Sequence, residues 1–326
     1  MSGRHGSLIS VRPDVRVVDC TMRDGGLCNN FKFSDAFVRD LYLANIKAGV
    51  DYMEFGYKAS REIFSSDKFG KWKFCDEADI RAVVGDNNTD MKISVMADVG
   101  RTDFRKDILP KKDSVIDMIR VATYINTIPA AIEMIEDAHA KGYETTVNIM
   151  AVSKVNDADL EAGIEMLAQT NVDVIYLVDS FGTYYPEQIE RLTIKYLEIA
   201  KKYNKLIGIH AHNNQQLAFA NTIESLSRGT SYLDATVNGM GRGAGNCYME
   251  QLLGFLRNPK YNKLAVMSFV EKHMLKLREE GVQWGFDLPY MLTGMLNAHP
   301  STAIQFMKEK RTDYAMFCQE LMDDVL

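Results

Sequence analysis

The sequence predicts an α/β fold, a barrel of eight parallel strands with a helical extension at its C-terminal end. Three observations lead to this prediction. Eight short apolar runs recur through the chain, amphipathic helical segments separate them, and the repeat is roughly 25 to 40 residues long. An apolar strand that is followed by a helix is typical of a parallel sheet. Eight such units close a (β/α)₈, or TIM, barrel of about 250 residues.

The predicted strands follow these runs in chain order. They cover residues 15–20, 52–57, 93–99, 118–123, 145–151, 174–180, 207–213 and 233–239. Between them, segments such as "PAAIEMIEDAHAKGY" have helical periodicity, and this one reaches a glycine that commonly ends a helix. An open doubly wound sheet is the alternative. It usually has fewer strands and often a glycine-rich turn after the first strand, where this chain has "TMRDGG".

The final part of the chain departs from the repeat. The segments "MSFVEKHMLKLREEG" and "STAIQFMKEKRTDYAMFCQELMDD" have helical patterns, and no apolar strand lies between them. A segment of this length is too short to form a stable core alone. We therefore predict a barrel domain over residues 1–257 and a helical extension over residues 258–326 that packs on it.

Composition excludes several classes of partner. The net charge is −6 and no cluster of Lys or Arg stands out, which argues against nucleic-acid binding. The longest apolar runs have the length of strands, too short to span a membrane. The N-terminal "MSGRHGSLISVRPD" lacks the apolar core of a signal peptide. The five cysteines are scattered without a CxxC pair, so we expect reduced thiols in a cytoplasmic protein.

Two histidines lie two residues apart in the seventh predicted strand, "GIHAHNN". Residues i and i+2 of a strand point to the same face, so His210 and His212 converge. This geometry suits a metal ion. A pair of core histidines satisfied by neighbouring groups would give the same pattern.

Other polar residues gather where the predicted strands end. Active sites of such barrels lie at the C-terminal ends of the strands. The polar residues predicted there are Asp19, Arg23, Asp24, Glu54, Asn148, Asp179, Ser180, His210, His212 and Asn246. Buried carboxylates without partners are unfavourable, so their concentration here indicates a site. For Asp179 a helix cap is an alternative role, and for Glu54 an ion pair inside the barrel.

Two neutral imidazoles and a carboxylate form an open-sided site for a divalent metal. Nitrogen and oxygen ligands without a thiolate suit Mn²⁺, Mg²⁺, Co²⁺ or Zn²⁺. Such an ion acts as a Lewis acid on a substrate with two oxygen ligands. Arg23, next to Asp24, adds a permanent cation where a negatively charged oxygen would develop.

Four sequence motifs resemble those of the DRE-TIM metallolyases, the HMGL-like family. "DCTMRDGG" resembles their D-x-T-L-R-D-G signature, and "HAHNN" resembles their H-x-H-N on strand seven. "DSFG" resembles their D-[ST]-x-G after strand six, and "GMGRGAGN" resembles their G-x-G-x-x-x-G-N loop. The match covers about residues 12–257, in the right order on the right strands. The doubled glycine of "RDGG" and the short helical tail favour the 4-hydroxy-2-oxovalerate aldolase branch.

The resemblance implies a divalent-metal-dependent aldolase or lyase that makes or breaks a C–C bond next to a 2-oxo acid. It implies that Asp24, His210 and His212 bind the metal, with Asn246 near or on it, and that Arg23 stabilises an enolate oxygen. We expect Mn²⁺ or Mg²⁺ as the ion. We expect Glu54, Asn148, Asp179 and Ser180 to bind the substrate, a small 2-oxo acid. We also expect a homo-oligomer; a partner enzyme is compatible with the sequence but is not implied.

One position departs from the aldolase pattern. Those enzymes carry a histidine three residues after the metal aspartate, where this chain has Leu27. We expect proton transfer to come from Tyr290 or His299 in the tail, with Tyr57 or a metal-bound water as alternatives. Two other functions stay open: a Claisen-type synthase that joins an acyl-CoA to a 2-oxo acid at the same metal, and a non-catalytic barrel that serves as a subunit or binding protein.

Overall fold

The computed structural model describes residues 9–324, and residues 1–8 and 325–326, at the outer ends of the two predicted domains, lie outside the described residues. Eight strands form a closed barrel in which each strand pairs in parallel with its neighbours, and β8 closes onto β1. The strands are β1 Arg16–Asp19, β2 Tyr52–Tyr57, β3 Lys92–Asp98, β4 Met118–Thr123, β5 Glu144–Ile149, β6 Val174–Asp179, β7 Leu206–Ala211 and β8 Tyr232–Ala235. The predicted fold class is therefore confirmed.

Helices surround the barrel and continue beyond it. They are α1 Thr21–Asn29, α2 Asp35–Ala48, α3 Glu77–Val84, α4 Phe104–Asp107, α5 Ile128–Ala140, α6 Asp157–Ala168, α7 Pro186–Lys202, α8 Ala218–Arg228, α9 Met249–Phe255, α10 Lys263–Phe269, α11 Leu275–Glu279, α12 Leu288–Met295, α13 Pro300–Lys308 and α14 Tyr314–Asp323. No helix within residues 9–324 is both long and apolar enough to cross a membrane. All five cysteines are free thiols.

Helix α2 shows how local sequence sets these boundaries. The Ser34 side chain accepts a hydrogen bond from the Phe37 N–H and so caps the first turn. Gly49 ends the helix in the left-handed conformation, with φ 74°, which a residue without Cβ adopts at little cost. Between the two, Phe37 and Leu41 belong to the face that packs on the core.

Two segments differ from the sequence-based expectation. The signature "DCTMRDGG" continues into α1, so Arg23 and Asp24 lie on the first turn of a helix. Strand β8 ends at Ala235, four residues before the predicted end at Gly239. Asn238 has φ 54°, a left-handed conformation that no strand accommodates, and residues Val237–Gly239 form a 3₁₀ turn instead.

The C-terminal helices lie over the ends of the strands. Asn214, just after β7, donates to the Tyr290 carbonyl at 3.3 Å. Asn297 donates to the Ser153 carbonyl after β5 at 2.9 Å. The Trp284 indole donates to the Asn238 carbonyl after β8 at 2.9 Å. The extension therefore covers one side of the barrel mouth, while a domain division at residue 257 stays a prediction.

Candidate metal centre

A cavity of about 190 Å³ opens at the C-terminal ends of the strands. Seven of the predicted site residues line it: Arg23, Asp24, Asn148, Ser180, His210, His212 and His299. They come from α1, from β5, from the end of β7 and the residue that follows it, from the loop after β6 and from the tail. The barrel thus brings together side chains that are far apart in the sequence.

Asp24, His210 and His212 form the centre of this cavity. Each offers one ligand atom, and these atoms all lie within 4.8 Å of one another. The two imidazole centroids are 5.1 Å apart, as the i, i+2 spacing on β7 predicts. His212 Nδ1 lies 4.0 Å from the Asp24 carboxylate. All three side chains are buried, so an ion between them is shielded from bulk water.

Unpaired polar atoms test whether these residues fit a metal ion. His210 Nδ1 lies 2.9 Å from the Asp234 carboxylate, which leaves Nε2 for another partner. That Nε2 is buried and has no hydrogen-bond partner among the described residues, and neither does Asn246 Oδ1. Buried polar atoms are rarely left unpaired. One carboxylate and two imidazoles, one oriented through Asp234, fit a divalent cation.

The electrostatics keep Asp24 and His212 in the forms that bind metals. Burial alone would raise the pKa of Asp24, but the Arg23 charge and the two imidazoles outweigh it and hold this pKa below its usual range. Burial lowers the pKa of His212 to about 3, although the nearby Asp24 acts in the opposite direction. At neutral pH the site therefore contains a carboxylate beside a neutral imidazole.

The glycine-rich loop after β8 closes tightly on this centre. The Asn246 amide donates to the Asp24 carboxylate and so holds it in place. A Cβ at Gly241 would overlap both the Asn246 side chain and the Asp24 carboxylate. The first glycine of "GRGAGN" is therefore needed for close approach of the loop to the predicted ligands.

A buried ion-pair network supports the site from inside the barrel. Arg23 Nε donates to Glu54 at 2.9 Å, and Arg120 Nη1 donates to the same carboxylate oxygen at 2.9 Å. Arg120 Nη2 donates to Asp234 at 2.6 Å, and Asp234 in turn contacts His210. One chain of charge-assisted hydrogen bonds therefore runs from Arg23 to His210.

A second group of potential ligands lies deeper, formed by Cys20, His210 and Asp234. Burial raises the pKa of the Cys20 thiol well above its usual value, which opposes the thiolate that a metal requires. Asp234 is already bonded to Arg120 and His210. The group around Asp24 is therefore the better metal site.

Besides Asp19, which accepts hydrogen bonds from Thr21 and Asn45, four predicted residues are not among those that line the cavity. Glu54 and Asn246 lie behind it, bonded to Arg23 and Asp24 respectively. The Asp179 carboxylate accepts the backbone N–H groups of Thr183 and Tyr184 and thus shapes the loop after β6. Burial raises the pKa of Asp179 to about 7, and these N–H donors partly offset this effect. The fourth residue, Tyr290, lies against the loop after β8.

The two tail residues occupy different places. A Cβ at Gly243 would lie 3.0 Å from the Tyr290 ring, and this tyrosine is largely buried with Ala244 and Ala303. His299 lines the cavity and caps α13, since its Nδ1 accepts the Ser301 N–H at 3.1 Å. Its Nε2 remains for another partner. Leu27 lines the same cavity.

Several residues of the site were not identified from the sequence. Arg120 and Asp234 lie inside the apolar runs of β4 and β8, and a charge within a buried strand is the signal that could have found them. Lys73, Arg101 and Arg242 also line the cavity. They lie outside the strands and α-helices, where charged residues are common and give no such signal.

Comparison with known proteins identifies the family. A family model described as HMGL-like matches residues 14–271. The chain is 30% identical over 246 residues to an oxaloacetate decarboxylase from Mycobacterium tuberculosis, covering 74% of this chain and 69% of that protein. It is also 30% identical over 250 residues to a 4-hydroxy-2-oxovalerate aldolase from Thermus thermophilus, covering 76% of this chain and 70% of that protein.

Solved structures show the same architecture. The crystal structure of an N-terminal domain from Bacteroides vulgatus aligns with a TM-score of 0.76 at 28% identity, covering 90% of this chain and 96% of that one. Hydroxymethylglutaryl-CoA lyase from Pseudomonas aeruginosa aligns with a TM-score of 0.65 at 16% identity, covering 82% of this chain and 94% of that one, which supports the fold alone. The family match extends over most of the barrel and includes every motif of the site: the chain belongs to the HMGL-like family, as its motifs predicted.

Proposed function

We propose that the protein is a divalent-metal-dependent aldolase that cleaves or forms a C–C bond next to a 2-oxo acid, similar to 4-hydroxy-2-oxovalerate aldolase. The observation that carries this proposal is the convergence of Asp24, His210 and His212 beside Arg23 in one cavity. The family and its relatives, which are named as aldolases and a decarboxylase, confirm the predicted class, a carbon–carbon lyase.

In this proposal Asp24, His210 and His212 hold the metal, and Asn246 orients Asp24 or joins the ligands. A bound divalent ion supplies Lewis acidity to the carboxylate and keto oxygens of the 2-oxo acid. Mn²⁺ or Mg²⁺ is the proposed ion, because the site has no thiolate and includes carboxylate and amide oxygens. Asp234 keeps the His210 ring in position through Nδ1.

Arg23 is proposed to stabilise the oxygen on which negative charge develops. Its Nε is bonded to Glu54 and its Nη1 to Asp24, so the plane of the guanidinium is fixed. Nη2 makes no hydrogen bond within the described residues, and Arg23 lines the cavity. A donor held in place before the reaction stabilises the transition state without reorganisation. Glu54 therefore acts by positioning Arg23 rather than by direct contact.

Asn148 and Ser180 are proposed to contact the substrate. Both line the cavity, and Asn148 Oδ1 is buried without a hydrogen-bond partner among residues 9–324. Ser180 Oγ accepts the Ala151 N–H at 2.9 Å, which leaves its hydroxyl proton for a ligand. Asp179 is proposed to support this side of the site through the loop amides that it accepts.

The proposed function is tested by the exchange of pyruvate methyl protons with solvent deuterium, followed by NMR with added Mn²⁺. We expect exchange in the native protein and a loss of about 2–4 kcal/mol of transition-state stabilisation in Arg23→Lys. Lysine keeps the charge but cannot bond Glu54, Asp24 and substrate in one plane. An exposed control, Arg105→Lys, should leave the rate unchanged. Absence of metal-dependent exchange in the native protein would refute the proposed function.

A second candidate function is decarboxylation of a 2-oxo acid, and Leu27 favours it. This residue lines the cavity where the aldolases are expected to have a histidine. Aldol cleavage needs a base for the substrate hydroxyl, whereas loss of CO₂ from a carboxylate does not. The relative from Mycobacterium tuberculosis is named as a decarboxylase. Release of CO₂ from 2-oxo dicarboxylates, without an aldehyde product, would favour this second function.

For an aldolase, we propose that His299 or Tyr290 contributes to proton transfer, with His299 the better placed. His299→Asn preserves a side chain that caps helices well but removes the titratable ring. We expect it to slow aldol cleavage by roughly 10²-fold, in the range of general acid–base catalysis. Tyr290→Phe, at a residue outside the cavity lining, should have a smaller effect. Full rates of cleavage and of pyruvate exchange in both variants would show that the tail does not take part in proton transfer and has only a structural role.

A cytoplasmic location and a homo-oligomeric state remain predictions. Size-exclusion chromatography with light scattering would determine the oligomeric state directly.

A further inference from the structure

Part of the cavity is lined by charged residues at or after the ends of β2 and β3, and β3 lies opposite β7 in the barrel. We name this part the distal wall and define it by Lys73, Asp98 and Arg101, which all line the cavity. The charges that perturb the pKa of Lys73 are those of Asp98, Arg101 and Cys75, and none of these is a proposed ligand. Arg23 also lines the cavity, and its charge lowers the pKa of both Asp24 and Asp98.

Lys73 lacks an acceptor for its ammonium group. Lys73 is only 5% exposed, and its Nζ makes neither a hydrogen bond nor an ion pair of 4.0 Å or less within residues 9–324. Instead Nζ lies over four aromatic rings, those of Tyr57 at 4.2 Å, Phe64 at 4.3 Å, Phe31 at 5.1 Å and Phe69 at 5.8 Å. The rings stabilise a cation but supply no hydrogen-bond acceptor, so the Nζ donors stay available to a ligand in the cavity.

The neighbouring charges do not satisfy this group. Arg101 is paired with Asp98 at 3.8 Å, a long contact that leaves its guanidinium donors without hydrogen bonds among the described residues. Burial raises the pKa of Asp98, and the charges of Lys73 and Arg101 act in the opposite direction. Burial also lowers the pKa of Lys73 to about 8, as expected for an ammonium group without an anion. Two cations therefore share one carboxylate.

The charges around the metal centre are balanced differently. The buried network there contains the cations Arg23 and Arg120 and the carboxylates Glu54, Asp24 and Asp234. A divalent ion and the single carboxylate of a 2-oxo acid would bring this network to neutrality, and Arg242, which also lines the cavity, would add a further positive charge. The distal wall would then keep one positive charge without a counter-charge. A substrate with a neutral distal end would leave this positive charge unpaired.

We infer that the substrate is a 2-oxo acid with a second anionic group, and that Lys73 and Arg101 bind this group at the distal wall. The inference rests on the proposed function, because the metal centre has to hold the 2-oxo acid end. A carboxylate and a phosphate share the required chemistry, since both accept several hydrogen bonds from an ammonium and a guanidinium group. In the ligand-free protein the aromatic rings keep Lys73 in place for this contact.

The test compares substrates that differ only at the distal end. 4-Hydroxy-2-oxopentanoate ends in a methyl group, 4-hydroxy-2-oxoglutarate ends in a carboxylate at the same position, and 5-phosphooxy-4-hydroxy-2-oxopentanoate ends in a phosphate. We expect the native protein with Mn²⁺ to prefer one anionic substrate to the neutral one by roughly 10- to 100-fold in kcat/KM, the range for hydrogen bonds to charged groups. The anionic substrate with the higher kcat/KM shows whether the distal wall binds a carboxylate or a phosphate.

Variants assign this preference to the distal wall. Lys73→Met keeps an unbranched side chain among the aromatic rings and should reduce the preference to less than about threefold, mainly through KM for the anionic substrate. Arg101→Gln, at a side chain that is 59% exposed, should reduce it as well without a risk to folding. Lys112→Met, at an exposed lysine outside the cavity, is the control and should keep the native preference.

The possible outcomes separate this inference from the proposed function. If pyruvate proton exchange occurs but the native protein does not prefer either anionic substrate, the inference is overturned and the proposed function stands. An anionic preference that persists in both Lys73→Met and Arg101→Gln also overturns it. If no metal-dependent exchange occurs, the proposed function fails and this inference fails with it.

Discussion

Arg120→Met is expected to lower the free energy of unfolding by about 3–5 kcal/mol, because removing one partner of a buried ion pair leaves the other charges uncompensated. Arg120 is fully buried and bonds both Glu54 and Asp234. Methionine fills a similar volume but provides no donor. Urea denaturation at neutral pH, followed by far-UV circular dichroism, measures the change.

Two further variants show whether the charge or the packing causes this loss. Arg120→Met combined with Glu54→Gln and Asp234→Asn removes the orphaned charges and should be more stable than the single variant. Arg105→Met removes an exposed arginine whose contact with Glu133 is 3.3 Å, and it should change stability by less than about 1 kcal/mol. A single Arg120→Met variant as stable as the native protein would show that the network is dispensable for folding.

The network also explains why the interior of the barrel is not uniformly apolar. Arg120 is held by two carboxylates, and each of these holds a residue of the site: Glu54 holds Arg23, and Asp234 holds His210. A well-packed apolar core would contribute similar stability but could not orient a guanidinium group and an imidazole. We therefore regard Arg120 as a positioning residue. Its loss should weaken metal binding even where the barrel remains folded.

Most of the fold could be predicted from the sequence because each strand carries its own signal. Runs such as "VIYLVD" are apolar on both faces, as required of a strand between the barrel interior and the helices. The ends of individual strands and helices were harder to predict. The end of β8 depends on the left-handed backbone of Asn238, and the start of α1 directly after β1 places a helix over two glycines. Tertiary contacts determine both, and the local sequence does not report them.

The metal ligands could be predicted because their spacing carries geometric information. His210 and His212 lie two residues apart at the end of β7, so their side chains point to the same side. The motif around Asp24 follows β1, which pairs with β8 in the barrel. The supporting residues carry no such information. Arg120 pairs with Glu54 and Asp234, which are 66 and 114 residues away in sequence. Likewise, the aromatic rings around Lys73 come from separate segments, and only the folded chain brings them together.

Loss of the metal in His210→Ala/His212→Ala is the second large expected effect. The native protein should bind one Mn²⁺ per chain, as measured by equilibrium dialysis, and the double variant should bind none at a stoichiometric level because two of the three proposed ligands are gone. Asp234→Asn keeps all three proposed ligands but weakens the contacts of Asp234 with His210 and Arg120, so a smaller loss of affinity, about 10- to 100-fold, is expected. His139→Ala, at an exposed histidine on α5, should bind Mn²⁺ like the native protein. The barrel should remain folded in all of these variants, and far-UV circular dichroism checks this because it reports the helices and strands and not the site. Stoichiometric Mn²⁺ in the folded double variant would mean that the ion binds elsewhere, and the unpaired Nε2 of His210 would then need another partner.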